Sequence, residues 1–336
     1  MQKSFGALPS GEAVSLYTIS CGKITAQITD YGASLVRLFV PDSNGNKADV
    51  VLGYDSAEGY INGNAYLGAT VGRNANRIRD GRLPLEGKML CLPTNNNGNS
   101  LHSGPDGYSF RLWEVDEHSP HRIVFSLEVA DGDQGFPGNA KMQVTYSLEG
   151  TSLKIRYDGV CDRDTVFNFT NHSYFNLAGH DKPECAMAQE LTMPAGVFCA
   201  ADAGMIPTGE LQRVDGTPMD FRVPKPIGRD IDTDYEPLRL ASGYDHCYEA
   251  CGAPCAVLSD PHSGRRMEVY TDCPGVQLYA GNFVNETGKG GSFYPPRSGV
   301  ALETQFYPDS VNHPEWKQPF TPANTPYHSE TEYRFL

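Results

Sequence analysis

Apolar and polar residues alternate with period two along much of the chain. In residues 121–129 the apolar side chains recur at Ile123, Phe125, Leu127 and Val129. Residues 141–148 and 152–157 repeat the pattern, joined by the turn Glu149-Gly150-Thr151. Successive side chains of a strand point to opposite faces, so these runs predict an antiparallel meander with one buried face. Similar runs at 24–29, 34–40, 165–169, 266–270, 276–279 and 300–305 extend the prediction. Helical periodicity is scarce and best around residues 55–61. The Pro-rich stretches 218–226 and 314–326 are short and carry aromatics, which predicts ordered loops rather than linkers. The expected fold is all-β: a large, mostly antiparallel β-sandwich with few short helices, spanning residues 1–336 as a single domain.

Composition narrows the function more than the fold. The 336 residues suffice for a large core, and the 35 Gly and 24 Pro are spread without a repeat, as a turn-rich chain requires. A net charge of −14 has the wrong sign for gripping a phosphate backbone or an anionic membrane surface, so neither is an expected partner. No basic and then apolar leader opens the sequence and no 18 apolar residues run together, so a cytoplasmic protein is expected. The nine cysteines are odd in number and dispersed, as reduced thiols are. Cys247, Cys251 and Cys255 are spaced by four. Gly252 and Pro254 break any helical face between them, and zinc sites normally join C-x₂₋₄-C pairs to further Cys or His ligands, so packing is expected there and no metal.

Familiar cofactor devices are missing. There is no Walker phosphate loop, no G-x-S-x-G elbow and no H-E-x-x-H helix, and Gly72-Arg-Asn-Ala-Asn-Arg77 lacks dinucleotide spacing. Gly288-Lys289-Gly290-Gly291 resembles a phosphate cradle only superficially and is expected to be a flexible surface loop. No cofactor is expected. What remains is a set of polar groups in aromatic surroundings. Asn171-His-Ser-Tyr-Phe-Asn-Leu177 follows the expected strand at 166–169, where His172 is either a buried structural residue or a functional one. His102 follows the turn-forming run 95–99, and Asp245 stands between Tyr244 and His246. Glu303 is an acid inside the strand run 300–305, facing either solvent or a polar cleft. Trp113 is expected to pack in the core rather than to stack on a ligand.

Taken together, Gly72-Arg-Asn-Ala-Asn-Arg-Ile78, Asn99-Ser-Leu-His102, the His172 run, Tyr244-Asp-His246, Val276-Gln-Leu-Tyr-Ala-Gly-Asn-Phe283 and Glu303-Thr-Gln…Pro308-Asp309 resemble the aldose 1-epimerases, or galactose mutarotases. The loop Asp131-Gly-Asp-Gln-Gly-Phe-Pro-Gly138 belongs to the same resemblance, which runs in order from about Leu8 to near the C-terminus. It implies a β-supersandwich with a sugar cleft on one sheet. Carried over by position, it makes Glu303 the general base and His172 the general acid. Asn76, Arg77, His102, Asp245 and Gln277 become sugar-hydroxyl contacts, and Tyr174 lines the cleft. Ser103 departs from the family in standing where Gly is usual after the His, Tyr108-Ser109 replaces an aromatic–Asp pair, and Cys247 stands where Asn is frequent.

These residue types suit mutarotation. One group takes the proton of the C1 hydroxyl while another gives a proton to the ring oxygen; the ring opens, the aldehyde turns about C1–C2, and the ring closes on the other face. A carboxylate and an imidazolium on opposite sides of the sugar would supply both transfers, each worth about 10²–10⁴-fold. The implied substrates are free aldoses such as galactose and glucose, with the preferred sugar and the choice between monomer and homodimer left open. A sugar-phosphate 1-epimerase, a glycosidase pairing Glu303 with Asp245, and a non-catalytic sugar sensor are the competing readings.

Overall fold

The computed structural model describes residues 1–336. The three alternating runs form the expected meander: Arg122–Val129, Ala140–Glu149 and Ser152–Cys161 pair antiparallel in sequence order. They are continued by the C-terminal strand Tyr327–Phe335 and then by Arg266–Thr271 and Ala256–Ser259, inside a nine-stranded sheet. A second sheet of six strands runs Tyr174–Phe175, Val300–Gln305, Gly275–Tyr279, Asp245–Glu249, Val197–Ala201 and Pro207–Arg213. A third, of five strands in sequence order, is built from residues 2–49. Every strand pairing in the three sheets is antiparallel.

The two larger sheets pack face to face, and period two decides what each face carries. On the strand Val300–Gln305, Leu302 turns towards the nine-stranded sheet, where its carbonyl accepts from Tyr333 Oη at 3.2 Å and Thr304 meets Thr331. Val276, Leu278, Val300 and Leu302 join one large apolar cluster that reaches from Tyr17 to Phe335. The alternate residues Glu303, Gln277 and Asp245 must then face the other way, and the register sets Gln277 directly across from Glu303. That opposite face is the floor of the candidate site.

Two α-helices are present, Ala57–Asn62 and Glu236–Ala241, each of six residues; the first coincides with the best helical run of the sequence. Trp113 is buried, and its indole N–H donates to the Tyr108 carbonyl at 3.1 Å, as core packing predicts. Cys247 lies among Cys199 and Trp316, whereas Cys255 belongs to the main core cluster, so the spaced thiols sit in separate environments. No helix is long and apolar enough to cross a membrane.

Two expectations are corrected. The run 165–169 is not one strand: pairing stops at Val166, and Thr170–Asn171 pairs instead with Thr70–Val71. Between them the Asn168 backbone bonds to Arg73 and Ala75, and its side chain accepts from Phe306 N at 2.9 Å, while Phe167 and Phe169 stack in the core. Gly288–Gly291 is not a loose surface loop either. Lys289 is buried and its ammonium donates to Val36 O, Asp49 Oδ2 and Val51 O at 2.9, 2.6 and 2.7 Å. Three acceptors and one opposite charge offset the cost of burying the cation.

Candidate active site

A cavity of about 460 Å³ opens over the floor strands. Among its lining residues are Asn76, Arg77, His102, His172, Tyr174, Asp245 and Glu303, so the structure gathers seven of the eight expected site residues from segments far apart in sequence. Gln277 is the exception. It is buried behind Asp245, to which its Nε2 donates at 2.6 Å, and does not line the cavity.

Two walls meet there. Asp245 and Glu303 rise from paired strands of the six-stranded sheet. Tyr66, Asn76, Arg77, His102 and His172 come from turns and two-residue strands, and Tyr66, Asn76 and His102 hold φ of 54°, 58° and 51°. This left-handed backbone, uncommon outside glycine, turns the side chains inwards. Ser103 continues it with φ 70°, which explains a preference for glycine at that place; here the Ser103 hydroxyl accepts from Asn74 N at 2.7 Å and donates to Asn74 O at 3.1 Å. His102 Nδ1 accepts from the Asn76 amide at 3.2 Å, leaving its Nε2 as the N–H donor of a neutral ring. Burial and the neighbouring His172 and Arg77 favour that neutral form. Arg77 Nε donates to Asn96 Oδ1 at 3.1 Å, which fixes the guanidinium in its wall.

At the junction of the walls, His172 Nε2 lies 3.7 Å from Glu303 Oε1, both side chains almost fully buried. The two groups therefore stand side by side, not on opposite sides of a ligand as the sequence suggested. Tyr66, Tyr174 and Tyr279 close around the His172 ring at centroid distances of 5.8, 4.9 and 6.2 Å. This apolar jacket holds the His172 pKa down at about 4 by desolvation. Desolvation, with the nearby Asp245 charge, pushes the Glu303 carboxyl well above the usual carboxylate range. Burial thus separates the pair from its ordinary values in opposite directions, the arrangement expected where protons are exchanged. Glu303 Oε2 and His172 Nδ1 are buried with no hydrogen-bond partner, as is Gln277 Oε1. Two of these atoms, on His172 and Glu303, belong to cavity-lining residues, where a polar ligand would satisfy them.

The sequence had not singled out Asn64, Tyr66, Asn96 or Phe283 as site residues, although all four line the cavity. Asn96 lay inside the turn-forming run 95–99, and Phe283 ended one of the quoted motifs. Tyr66, with φ 54°, had no local signal.

The chain matches the family model described as aldose 1-epimerase over residues 15–334. It is 38% identical to galactose mutarotase of Homo sapiens over 98% of this chain and 97% of the human one. To aldose 1-epimerase of Haemophilus influenzae it is 37% identical over 99% of both chains. Among solved structures, an aldose epimerase homologue from C. elegans superposes with a TM-score of 0.89 at 32% identity, covering 96% of this chain and 99% of that one. A galactose 1-epimerase from Lactobacillus acidophilus superposes at 0.87 with 26% identity, covering 100% and 98%. With sequence, fold and family model in agreement over nearly the whole length, the chain belongs to the aldose 1-epimerase family, isomerases acting on carbohydrates.

Proposed function

We propose that the protein interconverts the α and β anomers of free aldoses such as galactose and glucose, with Glu303 as general base and His172 as general acid. The 3.7 Å separation of the two groups carries this reading. The C1 hydroxyl and the ring oxygen are bonded to the same carbon, so a base and an acid acting on them must also be neighbours. Glu303 takes the hydroxyl proton as His172 protonates the ring oxygen; the C1–O5 bond breaks and the aldehyde forms. After rotation about C1–C2 the same two groups return the protons from the other face, and neither is consumed. The pair holds a single proton: burial, which favours the neutral form of each group, keeps it on Glu303 before the sugar binds, and the assigned roles need it on His172 once the sugar is bound.

Arg77, His102, Asn76 and Asp245 supply a donor fork, an N–H, an amide and an acceptor for the sugar hydroxyls, with Tyr174 as an apolar wall. Gln277 holds Asp245 from behind rather than touching the sugar. The lining favours a neutral substrate: Arg77 is its one Lys or Arg, against Asp245 and Glu303. A phosphate dianion would call for more cationic donors. The apolar cluster shared by residues from Tyr17 to Phe335 supports one domain for the whole activity. Polarimetry of freshly dissolved α-galactose and α-glucose tests the reading: the approach to anomeric equilibrium should accelerate with enzyme concentration, and an unchanged rate for a panel of aldoses overturns it.

A further inference from the structure

The strand that carries Glu303 continues into a segment with a second task. Six residues on, Asp309 touches no part of the cavity, yet its carboxylate is buried. Its backbone N–H donates to the Arg77 carbonyl at 2.8 Å, and its Oδ1 accepts from the Arg79 amide at 2.9 Å. Asn312 Nδ2 donates to the same Oδ1 at 2.6 Å, while Oδ2 faces Arg79 Nε at 3.9 Å and His313 Nε2 at 3.7 Å.

The geometry has a simple reading. Arg77 O and Arg79 N point to one edge of the two-residue strand Arg77–Ile78, whose other edge pairs with Ser100–Leu101. A neighbouring parallel strand would satisfy that free edge with one N–H and one carbonyl from the same residue. Asp309 provides the N–H and replaces the carbonyl with its carboxylate. A two-residue strand has little pairing of its own to hold it, and Arg77 contacts its surroundings otherwise through Asn76 and Asn96, both neutral amides.

We propose that Asp309 is a positioning residue for sugar binding: it clamps the free edge of the Arg77 strand and so aims the guanidinium into the cavity beside Glu303. The inference rests on the reading of Arg77 as a sugar contact. It makes one chain segment responsible both for the base and for the placement of the donor fork in the same cavity.

Asp309 has φ 56°, so glycine is the mildest deletion of its carboxylate, keeping the backbone N–H and relieving the left-handed strain. Asp309→Gly should raise KM for galactose about tenfold while kcat stays within about twofold, since a misaimed fork loses binding common to ground and transition states. Asp309→Asn, which keeps the acceptor for the Arg79 amide, should restore most of that loss. In an Arg77→Lys background, itself raised in KM, Asp309→Gly should add little, because both changes remove one interaction. A loss of thermal stability with unchanged KM, a protein that no longer folds, or the same KM increase in both backgrounds would each overturn the proposal. Unchanged KM in Arg77→Lys alone instead overturns the sugar-contact reading, and the proposal falls with it.

Discussion

The cavity has one wall made of long paired strands and one made of turns, and they are specified differently. Asp245 and Glu303 stand where they do because a strand alternates and because its register is locked by neighbours on both sides. A one-residue slip would bury Glu303 between the sheets, so the core itself enforces the orientation. Tyr66, Asn76, His102 and Ser103 have no such enforcement. Their left-handed backbone is held by individual hydrogen bonds such as Asn76 N to His102 Nδ1 and Asn74 to Ser103. The lesson is a division of labour: the rigid wall carries the buried carboxylate, and the turn wall carries the adaptable donors. His172 sits at the seam.

The sharpest way to break the seam is to remove the titratable groups one at a time. Glu303→Gln keeps size and hydrogen-bonding capacity, and the strand register should hold the amide where the carboxylate was. Catalysis should fall by ~10²-fold or more while calorimetric binding of galactose persists. His172→Asn should be about as inactive, and the double variant little worse than either, because the two act as one unit. Retention of more than about a tenth of wild-type kcat in Glu303→Gln would show that the base lies elsewhere.

The strand wall was legible and the turn wall only partly so, for physical reasons. Alternation through 300–305 narrowed Glu303 to two faces, and burial of the apolar alternates in the sheet interface decides between them. Gln277 came from the family resemblance alone, which could not show that Asp245 stands between it and the cavity. The turn wall depends on positive φ at non-glycine residues such as Tyr66, which no local sequence signal marks. Lys289 was misread because its flanking glycines suggest freedom, whereas the acceptors that trap it come from residues 36–51, far away in sequence. The run 165–169 looked like a strand because Val166, Phe167 and Phe169 are apolar. In the structure its aromatics serve the core while the backbone changes partners every two residues.

The proton balance of the pair gives a second, more graded test. The productive state carries one proton, so activity is lost below the lower titration of the pair and above the upper one. With unperturbed groups the window would run from roughly 4.3 to 6.5. Burial instead lowers His172 to about 4 and moves Glu303 well above the carboxylate range. The pH profile of kcat/KM should therefore show its acid limb near pH 4, with a basic limb set by the upward-shifted Glu303 rather than by an imidazole. A limb at the ordinary imidazole value of roughly 6.5 would mean that water reaches the pair and that the tyrosine jacket does not desolvate His172.

The smallest expected effect tests how the turn wall is held. Ser103 sits at φ 70° directly after His102, and its hydroxyl both accepts from and donates to the Asn74 backbone. Left-handed backbone at a non-glycine costs about 1–3 kcal/mol, and each hydrogen bond returns roughly 0.5–1.5 kcal/mol. Ser103→Gly removes the strain and the two bonds together, and adds about 0.5–1 kcal/mol of chain entropy lost on folding. The terms nearly cancel, so stability should change by no more than about 1 kcal/mol, with kcat and KM within about twofold of wild type. Ser103→Val removes the bonds and makes the strain worse, because a branched Cβ is least tolerated at positive φ. It should destabilise by about 2–4 kcal/mol and raise KM as His102 shifts. Denaturation midpoints and galactose kinetics on both variants decide the matter. If glycine costs as much activity as valine, the hydroxyl bonds rather than the left-handed backbone hold His102 in place.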